Sequence, residues 1–122
     1  MEAIIKGIRG ATTVLANTRE QIVSETEILL TKLVEVNQLE VDRIVSVFFT
    51  MTPDLNAEFP AVAARNLGWT EVPLICAVEI DVPDSVKKCI RLLLHYNATS
   101  QTALKPVYLQ GAKQLRQDLC DD

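Results

Sequence analysis

Two charged residues lie inside apolar stretches between Pro73 and Leu94, and they constrain the fold more than any other feature of the sequence. Glu79 stands among valine, isoleucine and alanine, and Arg91 lies between Ile90 and three consecutive leucines. An unpaired charge in a dry site costs several kcal/mol, so each side chain needs a partner, a ligand or a water-lined cleft. If the two lie on neighbouring strands, they can form a structural ion pair. The residue types alone leave that ion pair and a ligand site both open.

The composition predicts one globular domain, residues 1–122. A chain of 122 residues with 48% hydrophobic residues can bury a core, about two thirds of its unfolded surface. A net charge of −4 argues against a nucleic-acid or anionic-membrane partner. The sequence has no apolar run of about 18 residues and no leader with a small-residue cleavage site, so we expect a cytoplasmic protein without a membrane span.

The motifs of metal, cofactor and nucleophile chemistry are missing from the sequence. Its three cysteines, Cys76, Cys89 and Cys120, are odd in number and show no CxxC spacing, which disfavours a disulfide scaffold and a structural zinc site. We find no glycine-rich phosphate loop, no HExxH, no calcium loop and no serine nucleophile elbow. We therefore expect a protein without a metal or cofactor.

Hydrophobic periodicity predicts a mixed α/β (α+β) fold. Thr18 can cap a long helix over residues 19–36, with Gln21 completing a capping box. Pro60 can begin a short helix that runs to Gly68. Residues 86–96 fit a helix by leucine content and a central strand by position, and periodicity cannot decide between them. The predicted strands are residues 3–9, 43–50 and 73–80, followed by short edge strands at 105–109 and 112–116 and a frayed tail at 118–122.

A sheet with its helices on one face leaves the other face apolar, and this chain has too few elements to cover both. We therefore predict self-association. Four arginines stand beside backbone-special or apolar positions, and several arginines in an acidic protein favour a small polyanionic ligand. They are Arg9, Arg65, Arg91 and Arg116. An anion site without a nucleophile or metal motif leaves either binding or purely electrostatic catalysis.

Five collinear segments resemble the monofunctional, trimeric α/β-type chorismate mutases. The segments are GIRGATTV at 7–14, TPDLNAEFPAVAAR at 52–65, GWTEVPLICAVEIDV at 68–82, KKCIR at 87–91, and VYL at 107–109 with LR at 115–116. The resemblance covers the chain from residue 4 to about residue 118. It implies a mixed sheet with one long and one short helix on one face, packed as a homotrimer into a pseudo-α/β-barrel. It also decides residues 87–94 in favour of a strand.

The family is a group of isomerases (intramolecular transferases) of the shikimate pathway. They convert chorismate to prephenate, for phenylalanine and tyrosine synthesis, by a Claisen rearrangement that needs no nucleophile, metal or cofactor. Such an enzyme holds the dicarboxylate in its reactive conformation and stabilises negative charge on the departing ether oxygen. A non-catalytic trimeric module that binds small carboxylates is the alternative, and a pure interaction protein is a third reading.

The resemblance also implies roles for individual residues. Arg91 would donate to the ether oxygen, and Glu79 would accept from the ring hydroxyl and orient Arg91. Arg9, also counted as catalytic, would hold a carboxylate together with Tyr108. The remaining substrate-binding residues would be Cys76 beside the hydroxyl, Phe59, Ala61 and Leu115 as an apolar wall, and Arg65 and Arg116 at the second carboxylate and the mouth. A flexible tail, about residues 117–122, would shield the site.

The resemblance places each site between two subunits, with the short helix and Arg9 facing the third strand and Arg91 across the interface. One detail constrains this arrangement: Cys76 and Glu79 are three residues apart, and a regular strand points such side chains to opposite faces. We therefore predict a β-bulge or a backbone contact from Cys76. Val62 stands where relatives often carry lysine, and we expect this to affect affinity more than activity.

Overall fold

The computed structural model describes residues 4–99 and 103–115, which form a mixed five-stranded sheet with two α-helices. This confirms the predicted α+β fold. In chain order the elements are β1 (Ile4–Thr13), α1 (Arg19–Asn37), a 3₁₀ turn (Val41–Arg43), β2 (Ile44–Met51), α2 (Ala61–Asn66), β3 (Leu74–Val78), β4 (Cys89–Ala98), β5 (Val107–Tyr108) and a C-terminal 3₁₀ helix (Gln110–Leu115).

The strand order is β3-β2-β4-β1-β5, so β4 lies at the centre. It runs antiparallel to both neighbours, β1 and β2, while β3 is parallel to β2 and β5 is parallel to β1. Residues 89–98 are therefore a strand, as the resemblance implied. Pairing on both edges outweighs the helical preference of their leucines, because strand propensity depends mainly on packing context.

Both ends of helix α1 lie close to the predicted positions, 19 and 36. The Thr18 hydroxyl accepts a hydrogen bond from the Gln21 backbone N–H at 3.1 Å, which confirms the N-cap. The second half of the capping box is different, because the Gln21 side chain accepts from the Leu15 N–H at 3.1 Å. Gln38 adopts the left-handed conformation that terminates many helices.

Gly10 lies where two leucines of helix α1 pack directly against β1. The sequence predicted that β1 would end near this glycine, but the strand continues to Thr13. A Cβ atom on Gly10 would come within 3.0 Å of Leu33 and 3.3 Å of Leu29, both on α1. Gly10 therefore provides space for the helix rather than a turn. The two helices and the inner sheet residues, such as Phe49, share one apolar core.

The last predicted edge strand, 112–116, is wrong. Residues Gln110–Leu115 form a 3₁₀ helix, because Gln110 adopts a left-handed φ of 52° and turns the chain directly after β5. The Gly111 N–H then donates to the Thr13 hydroxyl at 2.9 Å, which ties this helix to the outer face of β1. The predicted frayed tail lies outside the described residues.

The sheet face opposite the helices is largely uncovered and partly apolar, as we expected from the number of elements. The strand registers place Ile75, Phe48 and Leu93 side by side on neighbouring strands. These side chains are 57%, 44% and 38% exposed. We call this surface the open face. In the described part of the chain, no helix is long and apolar enough to span a membrane.

Candidate active site

Arg91 and Glu79 form a bidentate ion pair on the open face. Arg91 lies in β4, and Glu79 follows the end of β3, so its carboxylate reaches across the intervening strand β2. Nε of Arg91 donates to Oε2 at 2.7 Å, and Nη2 donates to Oε1 at 2.7 Å. These hydrogen bonds raise the pKa of Arg91 above its ordinary value despite partial burial. The guanidinium is therefore a permanent cation with a fixed orientation.

The two partners differ sharply in exposure. The Glu79 side chain is 8% exposed, whereas that of Arg91 is 49% exposed. A purely structural pair explains the buried carboxylate, but it leaves the exposure of half of the Arg91 side chain without an explanation. The ion pair and the ligand site, left open by the sequence, are therefore compatible: Glu79 holds Arg91, and Arg91 still presents donors to solvent.

Thr50 is a member of this cluster that the sequence reasoning missed. It pairs with Arg91 across β2 and β4, and its hydroxyl donates to Glu79 Oε2 at 2.6 Å. The Glu79 backbone N–H donates to the Met51 carbonyl at 2.9 Å, which fixes the main chain at the same point. A hydroxyl residue directly after Val-Phe-Phe in a strand was the available signal, since alternation sets Thr50 opposite the buried Phe49.

Arg91 also lines a cleft between β4, β1 and the C-terminal 3₁₀ helix. Arg9, Tyr108 and Leu115 contribute to its walls, and the cleft has a volume of about 140 Å³. Ala11 pairs with Arg91 on one side and with Tyr108 on the other, so a small side chain separates the cation from the phenol. The structure thus brings together Arg9, Glu79, Arg91, Tyr108 and Leu115 within one chain.

This arrangement corrects one expectation about the interface. Arg9 was expected to face Arg91 across a subunit boundary. Instead both arginines line the same cleft in a single chain, because β1 and β4 are adjacent antiparallel strands and both side chains point to the open face. Two cations and a phenol around one opening can hold a carboxylate and still direct a second donor at a neighbouring oxygen.

The other predicted site residues lie away from this cleft. Cys76 points to the helix side of β3, where it is half-buried next to the start of α2. Ala61 lies in α2 and is buried, whereas Phe59, just before α2, is 63% exposed. Arg65 is exposed near the end of α2. Arg116 lies outside the described residues.

Cys76 and Glu79 do lie on opposite sides of the sheet, as their spacing requires. The pairing of β3 with β2 shows no register shift, so the bulge that we predicted is absent from Leu74–Val78. A backbone contact from Cys76 stays a prediction. Burial raises the pKa of the Cys76 thiol, although the Ala61 backbone amide and the charge of Arg65 oppose that effect. The thiol is therefore protonated at neutral pH and is a poor nucleophile.

The cleft offers two guanidinium groups and a phenol to a ligand. Across residues 4–99 and 103–115, no group of three histidine, cysteine or carboxylate side chains is arranged to hold a metal ion. Burial raises the pKa of Cys89 to about 12, so this thiol is not a nucleophile at neutral pH either. The cleft can bind an anion, donate hydrogen bonds to its oxygens and exclude part of the solvent.

The chain is similar to known proteins over nearly its whole length. A family model described as chorismate mutase type I matches residues 5–119. The chain is 43% identical over 118 residues to chorismate mutase AroH of Bacillus subtilis (strain 168), covering 95% of this chain and 93% of that protein. It is also 43% identical over 118 residues to chorismate mutase AroH of Thermus thermophilus, covering 95% of this chain and 97% of that protein.

A solved structure of a chorismate mutase from Clostridium thermocellum superposes with a TM-score of 0.87 at 54% identity, covering 89% of this chain and 98% of that one. Sequence and fold therefore agree over nearly the whole chain, including the segments that carry Arg9, Glu79, Arg91 and Tyr108. The chain belongs to the chorismate mutase type I family.

Proposed function

We propose that this chain converts chorismate to prephenate, using the cleft around Arg91. It is an isomerase of aromatic amino acid biosynthesis. The observation that carries this conclusion is the match to chorismate mutases over 95% of the chain. The reaction is intramolecular: an ether C–O bond breaks while a C–C bond forms. We infer that residues 1–122 form one chorismate mutase domain and that the protein is cytoplasmic.

Arg91 is the residue that we assign to the ether oxygen. Its contact with Glu79 uses Nε and Nη2, which leaves Nη1 available to the substrate. As the C–O bond breaks, negative charge grows on the oxygen, and a preorganised donor then contributes about 3–4 kcal/mol. Because the salt bridge already fixes the guanidinium, little reorganisation is needed during the reaction.

The other residues of the cleft hold the substrate in its compact conformation. Arg9 and Tyr108 bind one carboxylate, since both line the cleft beside Arg91. Glu79 accepts a hydrogen bond from the ring hydroxyl. Leu115 supplies an apolar wall from the C-terminal 3₁₀ helix. The whole set acts through positioning and charge, so it requires no cofactor.

The complete site forms between subunits of a homotrimer. A cleft of about 140 Å³ is smaller than the usual pocket for a small molecule, roughly 300–1,000 Å³, which supports completion by a second chain. The apolar open face supports the same assembly, a pseudo-α/β-barrel. The second chain would bring residues that lie away from the cleft in the first: Phe59, Ala61, Arg65 and Cys76, with Arg116 and the tail after it closing the mouth.

The loss of chorismate absorbance with purified protein tests this proposal. We expect saturable turnover for the unmodified protein and a loss of at least a hundredfold for Arg91→Ala, because a preorganised donor is removed. Arg43→Ala is the matched control: Arg43 donates to the Asn97 carbonyl at 2.8 Å, near the far end of β4. Size in solution must be the same for all three proteins.

Two results would contradict the proposal. Unchanged turnover in Arg91→Ala would exclude the electrostatic role of this residue. A folded, unmodified trimer without any turnover would restore the alternative, a non-catalytic module that binds small carboxylates. No contact in the described residues favours that alternative, and the intact set of Arg9, Glu79, Arg91 and Tyr108 argues against it.

A further inference from the structure

We propose that Thr50 is a positioning residue of this active site, which selects the oxygen of Glu79 that remains free for the substrate. This inference rests on the proposed function and adds a residue to it. The Thr50 hydroxyl donates to Oε2 of Glu79 at 2.6 Å, the same oxygen that accepts from Arg91 Nε at 2.7 Å.

The Glu79 carboxylate has a limited number of acceptor positions. A carboxylate has about four lone-pair positions, two on each oxygen. Thr50 and Arg91 Nε occupy both positions on Oε2, and Arg91 Nη2 occupies one on Oε1. One position on Oε1 is therefore left for a ligand donor. Without the threonine hydroxyl, Oε2 would also have a vacant position, and the two oxygens would compete for the substrate hydroxyl.

The surroundings of the hydroxyl make this selection rigid. Thr50 is β-branched and lies in β2 between two paired strands, which restricts its χ1 angle. Its register partner on β4 is Arg91 itself. The Glu79 side chain is 8% exposed, so its carboxylate is held mainly by donors from the protein. Thr50 thus fixes the carboxylate, and through it the guanidinium, without contacting the substrate.

Thr50→Val tests this proposal, because valine keeps the shape of the side chain and removes only the donor. We expect kcat to fall about tenfold or more, with KM changed less than about threefold. The reason is that the Arg91 guanidinium loses its fixed orientation, and its contact with the ether oxygen matters most in the transition state. Thr50→Ser restores the hydroxyl and should stay within about threefold of the unmodified kcat. Melting temperature and size in solution are recorded for each variant.

Thr26→Val is the matched control. Thr26 is fully buried, and its hydroxyl donates to the Ile22 carbonyl at 2.6 Å inside α1, away from the cleft. Its loss should affect stability but leave kcat and KM unchanged. A fall in kcat for Thr26→Val similar to that for Thr50→Val would overturn the proposal, because the effect would then be a general one of losing a buried hydroxyl.

Three further outcomes are decisive. If Thr50→Val turns over like the unmodified protein while Arg91→Ala is inactive, the role of Thr50 is refuted and the proposed function stands. If Thr50→Ser is as impaired as Thr50→Val, packing rather than the hydroxyl matters, which also refutes it. If Arg91→Ala itself retains full turnover, the proposed mechanism fails and this inference fails with it.

Discussion

At the scale of single residues, the central feature is a buried carboxylate that orients a half-exposed cation. Glu79 and Arg91 bind each other through two parallel hydrogen bonds, a geometry that only arginine among the cations provides. A lysine ammonium is a compact point charge. It can approach one carboxylate oxygen, but it cannot bind both oxygens and also present a fixed donor to a third group.

We therefore expect Arg91→Lys to lower kcat by at least tenfold although it preserves the charge. The physical reason is the loss of the planar fork that aims Nη1 at the substrate. Steady-state turnover of chorismate measures the effect, and Arg43→Lys is the control at a distant arginine of similar chemistry. Full activity in Arg91→Lys would mean that charge alone, without orientation, is sufficient.

At the scale of elements, the position of Arg91 depends on the junction where β2 ends and β4 begins. The Asp54 carboxylate accepts hydrogen bonds from the Thr52 hydroxyl and, at 2.9 Å, from the Lys88 backbone N–H. Lys88 has a left-handed φ of 51°. The Cys89 N–H in turn donates to the Thr52 hydroxyl at 2.9 Å. These contacts fix the first residues of β4, two positions before Arg91.

Asp54→Asn should destabilise the fold in a pH-dependent way. Partial burial raises the pKa of Asp54, but the hydrogen bonds from Thr52 and Lys88 and the charge of Lys87 outweigh it, so the pKa lies below its ordinary value. When the pKa of a carboxyl is lower in the folded than in the unfolded protein, the ionised group stabilises the fold at any pH above the unfolded pKa. That contribution is lost as the pH falls through the folded pKa.

We expect the variant to lose about 1 kcal/mol of free energy of unfolding at pH 7. The difference from the unmodified protein should shrink as the pH falls below the unfolded pKa and through the lowered folded pKa of Asp54. Urea unfolding at fixed protein concentration measures both, with Asp42→Asn, at an exposed aspartate of the 3₁₀ turn, as the control. A difference that does not vary with pH would show that the Asp54 charge has no part in the junction.

The helices and strands differ in how far the sequence predicts them. Helix α1 was predictable because its cap and its periodicity are local signals. Periodicity could not identify β4, because its leucines suit both helix and strand; the family resemblance indicated the strand, and pairing with β1 and β2 explains it. The C-terminal 3₁₀ helix depends on the backbone of Gln110, which periodicity does not show. Thr50 needed the register of two strands before its contact with Glu79 could be recognised.

At the scale of the whole molecule, the open face and the small cleft lead to the same conclusion. Phe48, Ile75 and Leu93 form adjacent exposed apolar positions on a sheet whose other face packs against the helices. Exposed apolar surface of this kind marks an interaction site. If identical chains cover it, the active site and the assembly become inseparable, because the residues around α2 would then be brought to the cleft by a neighbouring chain.

A charged side chain introduced into the open face should therefore both separate the subunits and abolish catalysis. We expect Phe48→Glu to be monomeric by sedimentation and to lose at least a hundredfold in turnover, since a buried unpaired carboxylate is costly and the site is left incomplete. Ile28→Glu introduces the same charge at a 51% exposed position of α1 and should remain trimeric and active. A monomeric Phe48→Glu with unchanged turnover would show that one chain contains the whole site, and the residues around α2 would then have no role in binding chorismate.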